Sequence, residues 1–214
     1  MRLVLPRLYV ILDATLLNSS PKDCAQELAA AGVQLMQYRD KSASARDLLK
    51  TSRELVSALQ PRRASLVVND RPDVAALAGA AGVHVGQDDL QPEQARAVVG
   101  NEIWIGVSTH NLEQFRRAAA TSADYIAVGP VFATTSKANP DPVVGLEFIR
   151  QVRSLTDKPI VAIGGITLDR AASVIAAGAD SIAVIRDVLC APKPGERARR
   201  FVETLDAANH AAAV

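Results

Sequence analysis

A short β-branched run followed by a longer Ala- and Leu-rich stretch of helical period recurs eight times along the chain, and this alternation constrains the fold more than any other feature. The runs are Leu8–Leu12, Val33–Tyr38, Ser65–Val68, Gly82–Val85, Ile103–Val107, Tyr125–Val128, Ile160–Ile163 and Ser181–Ile185. Each is nearly continuously apolar, as expected for a parallel strand covered on its outer face. The stretches between them are long enough for crossover helices, as in Ser44–Leu59 and Asn111–Ala120, where Asn111 and Gln114 have capping-box spacing. The phrases "AAAGVQL", "AGAAGVHV" and "AAGADSI" place a glycine where a helix must end before the next strand. Eight such units predict a (β/α)8 TIM barrel, with a doubly wound sheet as the alternative.

The length of 214 residues fits one such domain over residues 1–214, closed by a helix from about Glu196 to Ala208 and ending in a frayed tail, about 209–214. Basic residues number 24 against 23 acidic ones, so no global charge draws the chain to nucleic acid or an anionic membrane. Phosphate recognition, if present, must be local. Cys24 and Cys190 have no metal or redox spacing and read as reduced thiols. In "MRLVLPRLYVILD", Pro6, Arg7 and Asp13 interrupt the apolar character too early for a signal peptide or spanning helix, which predicts a cytoplasmic protein. Homo-oligomerisation is left open.

In such a barrel, chemistry belongs to the carboxyl ends of the strands. The second run exits into Gln37-Tyr38-Arg39-Asp40-Lys41, the third into Asn69-Asp70, the fourth into Gly86-Gln87-Asp88-Asp89, and the fifth into Ser108-Thr109-His110. The sixth opens the longest loop, "GPVFATTSKANPDPVVG", whose length suggests a functional loop or lid. The seventh ends in Gly164-Gly165 and the eighth in Ile185-Arg186. Carboxylates at neighbouring strand ends repel unless something positive lies between them. A hard cation such as Mg²⁺, held by one or two carboxylates with phosphate and water completing its shell, answers that need. Arg39, Lys41 and Lys137 would hold outer phosphate oxygens, and the loops after the last two strands are the recurrent phosphate cradle of this fold. The residues together suggest metal-assisted transfer from a diphosphate donor to a phosphorylated acceptor.

At these residues the sequence resembles the thiamine-phosphate synthase family: "QYRDK", "VVNDRPDVA", "GVHVGQDDL", "IGVSTH", "YIAVGPVFATTSK" and "PIVAIGGIT" occur in family order over almost the whole chain. The resemblance implies a transferase of thiamine biosynthesis joining 4-amino-2-methyl-5-pyrimidinylmethyl diphosphate to a thiazole phosphate, with diphosphate departing first and the thiazole nitrogen capturing a pyrimidine carbocation. It implies that Gln37, Arg39, Lys41 and Asn69 hold the pyrimidine diphosphate, with Tyr38 and Asp40 in the same segment. It assigns Mg²⁺ to Asp70 and Asp89, and Ser108 to the reacting pyrimidine. Thr134, Thr135 and Ser136 fall to the thiazole phosphate, Lys137 to the departing diphosphate, and Gly165, Ile185 and Arg186 to the acceptor phosphate. Two departures are Arg186, where the family often has serine, and Asp40, where glutamate is common.

Each residue also has a plainer reading. Asp70 and Asp89 fit as helix N-terminal acids stabilised by the helix dipole, but their pairing at neighbouring strand ends favours metal. Arg39 and Lys41 fit as solvated loop charges. His84 reads as a satisfied core histidine, His110 as a cap or a neighbour of the site, Tyr38 and Trp104 as packing residues, and Asp88 as the capping or supporting acid of its pair. The rival activities are a thiazole tautomerase, which carries histidine where this chain has Pro130, and a non-catalytic phosphate-binding barrel.

Overall fold

The computed structural model describes residues 3–135 and 141–212. Strands β1 (Leu8–Asp13), β2 (Leu35–Arg39), β3 (Ser65–Asn69), β4 (Gly82–Val85), β5 (Trp104–Thr109), β6 (Tyr125–Val128), β7 (Ile160–Ile163) and β8 (Ser181–Val184) pair in parallel and in chain order. The eighth returns to the first, with Leu8 opposite Ile182, so the expected barrel is closed. Helices α1 (Pro21–Ala30), α2 (Ala45–Leu59), α3 (Pro72–Ala78), α4 (Pro92–Val99), α5 (Leu112–Ala119), α6 (Gly145–Arg153) and α7 (Leu168–Ala176) follow the first seven strands. The short α8 (Arg186–Leu189) and the long α9 (Pro194–Ala212) follow the last.

The apolar runs conceal a period of two. Val10, Leu12, Met36, Tyr38, Leu66, Val68, Ile105 and Val128 point outward into one core shared with the helices. Tyr9, Ile11, Leu35, Val67, Tyr125, Ala127, Val161 and Ala183 point inward and fill the lumen. Both faces are apolar because both are covered, so the alternation distinguishes core layers rather than core from solvent. On α2, Ser44 accepts the Asp47 N–H and starts the helix, which then buries Leu48, Leu55 and Leu59 on one face. Each buried leucine contributes roughly 1.5–3 kcal/mol of transfer free energy.

The amino-terminal rim is tied by a repeated device. In "ADYI" and "ADSI" the aspartate precedes the strand. Asp124 accepts the Ile105 N–H and pairs with Arg96 at 2.6 Å, while Asp180 accepts the Ile160 N–H and pairs with Arg153 at 2.6 Å. An acid placed before one strand thus fixes the start of its neighbour.

Several boundaries differ from expectation. β2 begins at Leu35 rather than Val33, and β1 and β5 run one and two residues further, to Asp13 and Thr109. Asn111 caps α5 by accepting the Gln114 N–H, but Gln114 reaches back to the His110 N–H, one residue earlier than a capping box requires. In "AGAAGVHV" the helix-ending glycine is Gly79, at φ +68°, whereas Gly82 opens β4. The closing helix starts at Pro194 and continues to Ala212, into the expected tail. Among the described residues, no helix is long and apolar enough to cross a membrane.

Candidate active site

The carboxyl ends of the strands surround a cavity of about 1000 Å³. Its floor is a hydrogen-bonded chain of inward side chains from five strands. Gln37 Nε2 donates to the Tyr9 hydroxyl at 2.7 Å, and the Tyr9 and Tyr125 hydroxyls lie 3.2 Å apart. His84 Nδ1 lies 3.0 Å from the Tyr125 hydroxyl, and its Nε2 lies 2.8 Å from Ser108 Oγ. Gly106 makes this possible. It stands between His84 and Tyr125 in register, and a Cβ there would lie 2.0 Å from Tyr125 Cζ. The phenol ring fills the missing side chain's place and meets the imidazole in a stacked arrangement, with centroids 5.6 Å apart. Burial pushes both phenols above their ordinary range, so both remain protonated. Gln87 Nε2 donates to the Ser108 carbonyl at 2.6 Å and fixes the backbone beneath the hydroxyl.

One side of the mouth carries charge. Arg39 Nη1 meets Asp13 Oδ2 at 2.5 Å, and Asp13, 4% exposed, also accepts the Thr15 N–H and hydroxyl. Next to them Lys41 pairs with Asp70 at 3.1 Å. Asp70 has φ +62°, a left-handed conformation that a non-glycine residue adopts at a cost, and its N–H donates to the His84 carbonyl. Burial raises the Asp89 carboxyl above its usual range and the nearby charge of Asp70 adds to this, against the Gly86 N–H and the Lys41 charge. Two carboxylates face one another there with one ammonium as counter-charge.

The opposite side is built from backbone. Gly164 and Gly165 have φ +101° and +61°, and a Cβ on Gly165 would lie 2.3 Å from the Ala133 carbonyl oxygen. The glycines let the β6–α6 loop run along β7, where Val131 N–H reaches the Ile163 carbonyl and Phe132 N–H the Gly164 carbonyl. Arg170 lies over the Phe132 ring, 4.7 Å from its centroid, and donates to the Gly165 carbonyl. Asp187 accepts two bonds from Arg197 and the Leu168 N–H, joining the starts of α7, α8 and α9. His110 Nδ1 donates to the Gly129 carbonyl at 2.6 Å, and its Nε2 lies 3.5 Å from Asp141, so one side chain touches both limbs of the β6–α6 loop.

Gln37, Arg39, Asn69, Ser108, Thr134, Thr135, Gly165, Ile185 and Arg186 all line the cavity. Lys41, Asp70 and Asp89 stand beyond its lining, on the β2–β4 side. Tyr38 and Asp40 do not converge with them. Tyr38 is buried against the helices because its place in β2 faces outward. Asp40 accepts the Ser42 hydroxyl and the Ser42 and Ala43 N–H groups, shaping the β2–α2 turn. Ser136 and Lys137 lie outside the described residues. Asp88 is exposed and Trp104 packs against the lumen cluster. Asp13 is a cavity residue that the apolar pattern hides, because the first run reads as ending at Leu12, one residue short of it. The terminal acid of "YVILD" is its signal. His84 is the satisfied core histidine expected, buried with both ring nitrogens partnered, and it also forms part of the cavity floor. Among the described residues, no group of three or more His, Cys, Asp or Glu side chains is arranged to hold a metal alone. Two carboxylates suit a cation whose remaining ligands are phosphate and water.

The sequence matches the model of the family described as "Thiamine monophosphate synthase" over residues 8–188. A thiamine-phosphate synthase of Koribacter versatilis is 55% identical over 208 residues, covering 95% of this chain and 97% of that protein. A thiamine-phosphate synthase of Agrobacterium fabrum is 40% identical, covering 94% of each. A solved thiamine phosphate pyrophosphorylase from Pyrococcus furiosus superposes with a TM-score of 0.87 at 32% identity, covering 95% of this chain and 96% of that one. Matched from the first strand into the helix after the last, and aligned with its relatives nearly end to end, the chain is a transferase belonging to the thiamine monophosphate synthase family.

Proposed function

We propose that the chain joins 4-amino-2-methyl-5-pyrimidinylmethyl diphosphate to a thiazole phosphate, or its carboxylated form, giving thiamine phosphate and diphosphate. The observation that carries this reading is the division of the mouth: charged side chains of β1–β4 on one side of the cavity, glycine-lined backbone after β7 and β8 on the other.

The donor's diphosphate fits the charged side. Arg39, held in place by Asp13, offers its remaining N–H groups to the outer oxygens, with Lys41 and Asn69 beside it. Mg²⁺, held by Asp70 and Asp89 and completed by phosphate oxygens and water, would supply the charge that makes diphosphate a good leaving group. The paired acids fit this cation, since a counter-charge between them relieves the repulsion that adds to the burial of Asp89. The pyrimidine sits over Ser108. The acceptor phosphate meets Thr134, Thr135, Gly165 and the Ile185-Arg186 turn, where exposed Arg186 adds a cation in place of the family's common serine. Ser136 and Lys137 keep the roles given by resemblance. Cytoplasmic location fits such an enzyme.

These residues favour departure of diphosphate before attack by the thiazole nitrogen. Ser108 and His84 form a close pair, but Nδ1 of the imidazole meets a phenol rather than a carboxylate, so no Ser-His-Asp relay exists there. What the chain offers is charge neutralisation and positioning. The test is diphosphate release from the two substrates with Mg²⁺ and with EDTA. Metal-dependent release matched by thiamine phosphate formation supports the reading. Folded protein that forms no product with metal overturns it.

A further inference from the structure

The buried chain from Gln37 to Ser108 has a direction. The Gln37 amide nitrogen can only donate, so the Tyr9 hydroxyl accepts from it. The Tyr9 proton then needs an acceptor, and the Tyr125 hydroxyl is the polar atom in reach, 3.2 Å away and otherwise surrounded by the apolar lumen. Tyr125, having accepted, donates to His84 Nδ1 at 3.0 Å. A neutral imidazole that accepts at Nδ1 carries its proton on Nε2, which lies 2.8 Å from Ser108 Oγ. Run the other way, the chain would leave the Tyr9 proton without an acceptor among these groups, a buried loss of roughly 1–3 kcal/mol.

We propose that His84 is a positioning residue: the Tyr9–Tyr125 pair locks it as the Nε2–H tautomer, and its N–H holds Ser108 Oγ so that the serine proton points into the cavity. Ser108 is thereby presented to the bound ligand as a hydrogen-bond donor. The same polarity excludes His84 as a base for Ser108, since its Nε2 lone pair is absent. The catalytic part of this inference rests on the proposed function, which places the pyrimidine over Ser108. The tautomer does not.

Nitrogen-15 NMR of the imidazoles in the full-length protein tests the tautomer directly. The chain has three histidines, and a His84→Gln sample assigns the signal. A protonated Nε2 and a bare Nδ1 are expected, and Tyr125→Phe should abolish the preference. An Nδ1–H tautomer would overturn the proposal and mean that the Gln37 amide is turned over and the chain reversed; an imidazolium at neutral pH, which donates at both nitrogens, would overturn it by removing the Nδ1 acceptor. Kinetics tests the positioning role. His84→Ala should lower kcat by roughly tenfold, the worth of one hydrogen bond, while the KM for the pyrimidine diphosphate stays within about threefold. His84→Gln, with an amide N–H in place of Nε2–H, should recover most of that loss. Adding His84→Ala to Ser108→Ala should cost nothing further. Losses that add in the double variant would show that His84 acts independently of Ser108 and would sink the role. If His84→Ala does not fold, the spectrum of the unaltered protein still decides the tautomer.

Discussion

Asp13 and Arg39 are register partners at the ends of β1 and β2, and their side chains meet at 2.5 Å on the floor of the charged side of the mouth. The carboxylate is buried and holds two further hydrogen bonds, so it is the fixed member of the pair. It orients the guanidinium and leaves most of that group's donors for a ligand. Arg39→Ala is expected to lower turnover by roughly 10²–10³, the range for one donor that stabilises developing charge. Asp13→Asn keeps the shape but loosens the hold, and should cost roughly tenfold in kcat/KM. The double variant should fall within about threefold of Arg39→Ala alone, because the acid acts through the arginine. An Arg39→Ala effect below about tenfold would place the diphosphate elsewhere.

The acid pair at the β3 and β4 exits makes a prediction about metal. Burial and the Asp70 charge raise the Asp89 carboxyl, so the folded chain holds this proton to higher pH than the unfolded chain does. The sign follows: this group's contribution to stability is lost as pH rises from the ordinary carboxylate range through the raised value. At neutral pH, without metal, ionised Asp89 is therefore a liability, and Asp89→Asn should melt no lower than the unaltered chain in EDTA. The proposed Mg²⁺ would reverse the balance. At about one hundred times its Kd it should stabilise by about 2.7 kcal/mol, a rise of several degrees in Tm for a chain this size. Asp70→Asn or Asp89→Asn should remove that rise, as read by calorimetry. A magnesium shift unchanged in both variants would put the ion elsewhere.

The barrel was legible in the sequence because its signal is global. Eight apolar runs separated by helix-length stretches leave few alternatives, and a slip of one or two residues at Val33 or Ser108-Thr109 does not alter the topology. Position at the mouth was legible for residues at or just after the strand ends: Arg39 and Thr134 line the cavity, and Asp70 and Asp89 stand beside it. It was obscured where a polar side chain sits inside an apolar run. Tyr9, Tyr125 and His84 look like core residues because they are core residues, and only the facing of their strands brings their polar atoms together. Tyr38 shows the converse. It belongs to a motif rich in candidate site residues, but period two turns it toward the helices. Which face a residue takes in a doubly covered strand depends on register, and apolar runs carry no register mark.

The two thiols should differ sharply in reactivity. Burial, reinforced by the charge of Glu27, pushes the Cys24 thiol up to about 11, so at about pH 8 roughly one in a thousand is thiolate. Cys190 is exposed and lines the cavity near Ile185. Brief alkylation of native protein, followed by peptide mass spectrometry, should therefore modify Cys190 and leave Cys24 unmodified until denaturant is added. Thiamine phosphate should slow the labelling of Cys190 by occupying the same cavity. Comparable labelling of both cysteines in the native protein would contradict the packing of α1 against the barrel.

Gly106 carries the tightest constraint on the cavity floor. With a Cβ lying 2.0 Å from Tyr125 Cζ and 2.3 Å from its hydroxyl, alanine cannot be accommodated by small adjustments, because both groups sit on neighbouring strands of a closed barrel. The ring must turn away, and in doing so it leaves both Tyr9 and His84. Gly106→Ala is expected to destabilise the chain by about 1–3 kcal/mol from overpacking, with the loss of the buried hydrogen bonds in addition. At this chain length that is a Tm several degrees lower. The distinguishing readout is kcat measured well below the melting transition, where the variant remains folded. Displacement of Tyr125 frees the imidazole, so kcat should fall at least as far as in Tyr125→Phe, while the charged side built on β1 to β4, proposed to hold diphosphate, should keep its affinity for inorganic diphosphate. A Gly106→Ala protein that melts and turns over like the unaltered chain would show that the phenol does not lie across this glycine and that the floor is assembled differently.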